Sequence, residues 1–374
     1  MSVDIIGGGI GGLTTAIALQ QKGIKSIVFE QAPEIKPVGA GIILASNAMQ
    51  VYSKLGLHKL IIEYGRPVGR MNITDPSLKP ISGVDLEFFE EKYGVGSVAI
   101  HRGVLQQILV DALRSGTLQL DYELEQIVPH EDGFELHFNG QETVDAQYII
   151  GADGLRSKVR AKFFPDCVIR DARQVCWRGV VDFQLPAYYK GELNEAWGRG
   201  KRFGFVEISS GKVYWYALCN KREQYKDKAL TDIFSDFHPL VKEILAATAT
   251  EQIHYTPLYD LQPMDTWHTD HMCLVGDAAH AATPNLGQGA CQAIEDAFVL
   301  SAFLAKHRPE DAFREYKQNR ISKAHYIVNT SWTLGKLAHW RNPLAVKFRN
   351  TIMKLTPDSV NRQRSEEIFK IPSL

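Results

Sequence analysis

The residues near the start of this chain that are best suited to chemistry are three glycines and an acid. Gly7-Gly8-Gly9-Ile10-Gly11-Gly12 contains G-x-G-x-x-G at Gly7, Gly9 and Gly12, and Glu30 follows 18 residues after Gly12. Glycines at this spacing permit a tight turn, a close approach of backbone to a pyrophosphate, and close packing of a helix on a sheet. A carboxylate about 20 residues further on can bind ribose hydroxyls. The chemistry is dinucleotide binding, and this motif alone does not separate FAD from a nicotinamide cofactor. The set works only if flanking elements place it. Val3-Asp4-Ile5-Ile6 reads as a short buried strand, and the stretch carrying Leu13, Ile17 and Leu19 reads as a helix ending near Lys22-Gly23. Ser26-Ile27-Val28-Phe29 reads as a second strand closing on Glu30. The helix start then offers free N–H groups and a positive dipole end to phosphates. The bland alternative, a glycine turn that merely caps a helix, leaves Glu30 without a role.

Two later segments have a similar form. Tyr148-Ile149-Ile150-Gly151-Ala152-Asp153-Gly154-Leu155-Arg156-Ser157 is a buried strand running into a turn and a helix, with Ser157 as a candidate N-cap. Alone it could be no more than a strand–turn–helix junction. Met272-Cys273-Leu274-Val275-Gly276-Asp277-Ala278-Ala279-His280 is another buried strand, ending in Gly-Asp. Pro284, Gly287, Gln288 and Gly289 follow, then a helix from about Ala290 that carries Glu295 and Asp296. Asp277 at a strand end can hydrogen-bond a sugar-like chain, and His280 beside it reads as a group that packs or bonds behind that strand end.

Taken together and in this order, the three segments resemble the flavoprotein monooxygenases of the aromatic hydroxylase type (class A). The resemblance covers nearly the whole chain and is nearest the salicylate hydroxylase, zeaxanthin epoxidase and FAD-dependent urate hydroxylase branches. The stretches Glu34–Gly41 and Trp177-Arg178-Gly179 add to it. It implies that Gly7, Gly9, Gly12 and Glu30 hold the ADP half of FAD. It implies that Arg102 contacts the flavin and that Asp153 sits in the motif tied to FAD and NAD(P)H. Asp277 would meet the ribityl chain, and the backbone of Gly287, Gly289 and Ala290 would lie against the isoalloxazine. Without the resemblance, Arg102 would read as a surface salt bridge. A single G-x-G-x-x-G fits transient use of NAD(P)H in a groove. The implied reaction has NAD(P)H reduce FAD, O2 add to give a flavin hydroperoxide, and one oxygen pass to an aromatic or heteroaromatic small molecule. The open alternatives are an epoxidase or tailoring oxygenase of an apolar polyene or polycyclic substrate, and a flavin-bound protein that binds a ligand without turnover.

Composition narrows the classes. The chain has 374 residues, 45% hydrophobic and 23% charged, enough for two to three domains with their own cores. Lys plus Arg is 42 and Asp plus Glu is 43, a net charge of −1, which argues against bulk binding of nucleic acid. The cysteines Cys167, Cys176, Cys219, Cys273 and Cys291 form no C-x-x-C pair, so neither a disulfide framework nor a zinc site is expected. No apolar run reaches about 18 residues and no signal peptide opens the chain, so the expectation is a cytoplasmic monomer or homodimer.

The expected fold class is α/β, a discontinuous Rossmann-like FAD-binding domain with an antiparallel β-sheet substrate domain and C-terminal helices. The FAD-binding domain is expected at 1–70, 98–170 and 265–325, the sheet domain at 71–97 and 171–264, and a helical segment at 326–374. Arg202–Ile208 and Val213–Leu218 alternate around Ser209-Ser210-Gly211-Lys212 and predict a hairpin that roofs the flavin. By position Arg202 and Tyr214 resemble the substrate-engaging arginine and tyrosine of urate hydroxylase and are the catalytic candidates. The alternative is an exposed hairpin arginine and a half-buried core tyrosine. Phe203, Phe205, Trp215 and Tyr216 offer aromatic surface, of which alternation lets only half face a pocket. Where urate hydroxylase has an acid after the late-loop proline, this chain has Asn285, which cannot be a general base. The basic tail could touch a membrane surface, but Pro343 and Pro357 break its pattern, so packing along the FAD domain is expected.

Overall fold

Val3-Asp4-Ile5-Ile6, Ile149-Ile150 and Met272-Cys273-Leu274 are short, largely apolar runs suited to burial on both faces, as parallel strands require. In the computed structural model, which describes residues 2–35, 40–221, 225 and 228–374, they are neighbouring strands of one sheet. Its order is Met272–Leu274, Ile149–Gly151, Ser2–Ile6, Lys25–Glu30 and Leu118–Leu120, and every pairing is parallel. The glycine motif, the Gly151–Arg160 motif and Gly276-Asp277 therefore all leave the same carboxyl edge of adjacent strands. That edge is where open α/β sheets place ligands. Residues 36–39 of the Glu34–Gly41 stretch lie outside the described residues.

A second, seven-stranded sheet runs His254–Leu261, Ile169–Asp182, Lys212–Asn220, Lys201–Ser209, Glu192–Trp197, Arg70–Thr74 and Pro80–Asp85. It is antiparallel except between Glu192–Trp197 and Arg70–Thr74, which pair in parallel, so the expected antiparallel sheet is in fact mixed. The pleat sorts its side chains into two cores. Phe203, Phe205 and Trp215 face away from the parallel sheet and pack with Phe234, Val241 and Ile244, the last two from helix Pro239–Ala247. Val206 and Tyr214 face the other way and join a core with Leu44 and Ile100. Those two come from a small sheet of Gly41–Leu44, Ser97–His101 and Arg66–Val68.

Four of the five expected domain limits fall inside elements, and the one between 264 and 265 falls in a loop. The limit at 70 cuts strand Arg70–Thr74, that at 97 cuts Ser97–His101, that at 170 cuts Ile169–Asp182, and that at 325 cuts the 30-residue helix Pro309–Ala338. Each of these three strands lies wholly within one sheet, so those limits miss an element end by one or two residues, while the last falls deep inside a helix that composition does not divide. Pro343 and Pro357 also behave differently from expectation. Pro343 is the first residue of helix Pro343–Leu355, and Pro357 is the N-cap of helix Asp358–Phe369. A proline at a helix start lacks only an N–H that has no helical partner, so these residues delimit helices rather than break one. Among the described residues no helix is long and apolar enough to cross a membrane.

Candidate active site

The first wall is the glycine turn. Gly7 has φ +111°, and a Cβ on Gly12 would fall on the Gly7 carbonyl oxygen, so both positions require glycine for the helix to start this close to the strand. A Cβ on Gly9 would meet nothing within 4 Å. Gly9 is the N-cap of helix Ile10–Gln21, no side chain caps that helix, and its first turn holds no acid. The helix dipole and the first N–H groups thus open onto space, a cradle that fits a pyrophosphate. Glu30 stands beside it. Its carboxylate accepts the Gly8 N–H at 2.6 Å and the Ala32 N–H at 2.9 Å. It therefore stiffens the turn as well as offering an acid at the end of its strand.

The middle motif folds back on itself. Asp153 accepts the N–H groups of Lys158 at 2.7 Å and Val159 at 3.2 Å, and Ser157 accepts that of Arg160 at 2.8 Å. Together they close the start of helix Lys158–Phe163, with Ser157 as its N-cap. Burial pushes the Asp153 carboxyl up despite these bonds, and its second oxygen is buried without a partner. Arg160 is buried and links this motif to the late one by donating to the carbonyls of Ala278, at 2.8 Å, and Leu155.

Asp277 is exposed and lies not at a strand end but at the start of the short helix Asp277–His280, just beyond strand Met272–Leu274. The surrounding protein raises its carboxyl, while His280, Arg102 and Arg160 act in the opposite sense. Arg102 begins helix Arg102–Asp111 and is also exposed. A Cβ on Gly289 would stand 3.7 Å from an Asp277 oxygen, so the start of helix Gly289–Leu304 closes on the same point. Gly287, at φ +62°, turns the chain into it, and Ala290 follows in its first turn. The structure thus brings Arg102, Asp277, Gly287, Gly289 and Ala290 together beside the glycine turn. A charge cluster behind holds the edge in place. Asp296 accepts the Gly276 N–H at 2.9 Å and Arg320 Nε at 2.8 Å, and its Oδ2 lies 2.6 Å from His280 Nε2. Burial pushes Asp296 up, but the charges of His280 and Arg320 outweigh it and hold the carboxyl well below the usual carboxylate range. Glu295 meets Arg320 at 2.7 Å and Lys323 at 2.8 Å and accepts Asn47 Nδ2 at 2.5 Å. Nothing in the motifs points to Arg320 or Lys323. Their only sequence signal is a pair of basic residues three apart, on one face of a long helix opposite Glu295-Asp296.

The roof is the inner face of the seven-stranded sheet. Arg202 is 1% exposed, so it is not an exposed hairpin residue. It donates to Glu195 Oε1 at 2.9 Å and to Asn285 Oδ1, and its Nε is buried without a partner. Asn285 is oriented by its own amide, which donates to Thr283 Oγ1 at 2.8 Å and to the Ser331 carbonyl at 2.9 Å. Glu195 also accepts Trp197 Nε1 at 2.6 Å and the Tyr216 hydroxyl at 2.6 Å. The phenol joined to Arg202 through a shared acid is thus that of Tyr216. Tyr214 lies two residues away on the same face, its ring over Gly41 and 5.8 Å from that of Tyr216. Burial pushes the Tyr214 phenol well up, only partly countered by Arg178 and Arg102. Of the four aromatic candidates, Tyr216 alone shares the Arg202 face; Phe203, Phe205 and Trp215 lie in the opposite core. Glu195 has no motif to announce it. It could have been found only from strand register, which sets it opposite Gly204, where a Cβ would fall on the Tyr216 ring.

Comparisons with known proteins place the chain in a family. The FAD binding domain family model matches residues 1–331. The chain is 34% identical over 361 residues to the aurachin C monooxygenase/isomerase of Stigmatella aurantiaca, covering 95% of this chain and 94% of that protein. It is 32% identical over 383 residues to the 2-heptyl-3-hydroxy-4(1H)-quinolone synthase of Pseudomonas aeruginosa, covering 99% and 98%. Klebsiella pneumoniae HpxO complexed with FAD and uric acid superposes with a TM-score of 0.91 at 25% identity, covering 100% of this chain and 97% of that one.

Proposed function

The chain belongs to the FAD-dependent aromatic hydroxylase family, oxidoreductases that incorporate oxygen, and from that premise we propose that it uses NAD(P)H and O2 to hydroxylate a planar heteroaromatic ring of the quinolone kind. When bound, FAD supplies the electron transfer and the oxygen activation. The chain's own residues bind, orient and exclude water. Gly7, Gly9, Gly12 and Glu30 would hold the ADP half, with Asp153 beside Gly7. Arg102, Asp277 and the backbone of Gly287, Gly289 and Ala290 would hold the flavin end. The unobstructed cradle at Gly9 and the open helix start fit that group.

The observation that carries the reading is the polar set formed by buried Arg202 with half-buried Glu195, Tyr216 and Asn285 on the face of the roof that looks toward the late loop. The Arg202 charge is already countered by Glu195. A neutral ring carrying N–H and C=O groups suits this balance better than a free carboxylate, because each added buried charge would need its own partner. Tyr214 stays protonated across the physiological range, so it can donate a hydrogen bond but cannot act as a base. The printed name of one relative, a 2-heptyl-3-hydroxy-4(1H)-quinolone synthase, supports the quinolone class. None of the five cysteines forms a disulfide, which suits a reducing compartment.

The test follows NAD(P)H consumption by the FAD-loaded protein with 4-quinolones, hydroxypyridines, urate, salicylate and hydroxybenzoates, with product mass read alongside. A 4-quinolone that speeds consumption and gains one oxygen is the expected result. Turnover of urate or a benzoate in preference would overturn the substrate class and keep the reaction. Consumption that yields only hydrogen peroxide with every compound would overturn both.

A further inference from the structure

From Ala338 to Pro357 the chain carries no acidic residue, while Arg341, Lys347, Arg349 and Lys354 are basic. Most of this stretch is helix Pro343–Leu355. At about 100° per residue, Leu344, Phe348, Ile352 and Leu355 fall within an arc of about 80°. Their exposures are 77%, 62%, 48% and 76%, and Trp340 just before the helix is 37% exposed. Burial would favour these side chains, yet the fold turns them outward. The reason lies on one side of the helix. Arg349 is buried there, donates to the Ala338 carbonyl at 2.9 Å and the Leu337 carbonyl at 3.3 Å, and stacks 5.1 Å from the centre of the Trp197 ring. That anchor sets the rotation of the helix and keeps the apolar stripe facing out. Lys347 and Lys354, two turns apart, are exposed along the other flank of the stripe.

We propose that helix Pro343–Leu355 is an interfacial anchor that lies on an anionic lipid bilayer, with the stripe in the acyl boundary and Lys347 and Lys354 at the headgroups. A narrow apolar face bordered along one flank by exposed lysines, with an aromatic residue at one end, fits helices that lie in the membrane plane. Charge selects this occupant over a second copy of the chain. Two copies meeting through the stripe would bring lysines together with no acid of this stretch to offset them, whereas an anionic leaflet supplies the countercharge.

The test is co-sedimentation of the full FAD-loaded chain with vesicles of phosphatidylcholine alone and of equimolar phosphatidylcholine and phosphatidylglycerol. Binding to the anionic vesicles, weakened by salt, is expected. Replacing both lysines, Lys347→Gln with Lys354→Gln, should weaken that binding about thirtyfold. Phe348→Ser with Leu355→Ser should abolish it, and both double variants should keep the flavin absorbance and melting temperature of the parent. Failure of the parent to bind anionic vesicles at low salt would overturn the proposal. So would equal binding by the Phe348→Ser, Leu355→Ser variant. Self-association that is lost in that variant, without vesicle binding, would assign the stripe to a second copy instead.

Discussion

A carboxylate oxygen of Glu195 lies 2.9 Å from the Arg202 guanidinium across two antiparallel strands, and the other accepts the Tyr216 hydroxyl at 2.6 Å. Glu195→Gln removes the countercharge of an arginine that is 1% exposed. Breaking a buried pair from one side costs about 3 kcal/mol, and the freed guanidinium should re-aim. We expect kcat/KM for the ring substrate to fall by about tenfold or more, with FAD still bound at full occupancy. Steady-state kinetics beside the flavin spectrum check this. Unchanged kinetics would show that the roof cluster lies outside the substrate's reach.

The glycine turn separates folding from cofactor binding. Gly12→Ala forces a methyl onto the Gly7 carbonyl oxygen, whereas Gly9→Ala meets no atom within 4 Å. Gly12→Ala should therefore lower the melting temperature of the cofactor-free protein strongly. Gly9→Ala should leave that temperature nearly unchanged and weaken FAD binding by about tenfold or more, because its methyl fills the space of the phosphates. Full FAD affinity in Gly9→Ala would place the pyrophosphate elsewhere.

Asn285 is fitted as an amide. Its Nδ2 donates to Thr283 Oγ1 and to the Ser331 carbonyl while its oxygen accepts from Arg202. Asn285→Asp would set a carboxylate oxygen against a carbonyl and lose both donations, at a cost of about 1–3 kcal/mol. Chemical denaturation of the two proteins measures this. Equal or greater stability of the Asn285→Asp variant would show that the site tolerates an acid there and that the amide is incidental.

Asp4 sits 8% exposed in the central strand, and burial raises its carboxyl from 3.8 to about 6. The folded protein thus keeps a proton that the unfolded chain has already released. The penalty is absent below pH 3.8, grows as pH rises to about 6, and is constant above that at roughly 3 kcal/mol. Asp4→Asn should raise the melting temperature at pH 8, and the gain should vanish near pH 4. A gain independent of pH would mean that the effect is packing, not charge.

Much of the parallel layer is legible in local pattern. Glycine spacing, short buried strands and helix starts depend on neighbours within a few residues, so Gly7, Gly9, Gly12, Glu30 and Asp277 can be read directly. Glu195, Arg320 and Lys323 cannot. Each acts through a partner distant in the chain or in another element, and an isolated acid or base in a strand or helix looks the same whether it is solvated or paired. The hairpin was legible as a hairpin, yet the side that Phe203 and Tyr216 each take depends on register against strands that arrive from residues 70–85 and 192–197.

The sequence by itself determined a dinucleotide site, a parallel sheet and a hairpin, because these follow from short-range sterics and periodicity, and the order of its three motifs carried the resemblance that implies the family and FAD. Tertiary structure alone decided which phenol shares an acid with Arg202, what holds Asp296 ionised, and which way helix Pro343–Leu355 turns its leucines. The physical reason is that a one-residue change of register, or a rotation set by one buried arginine, exchanges inside for outside without changing any local pattern.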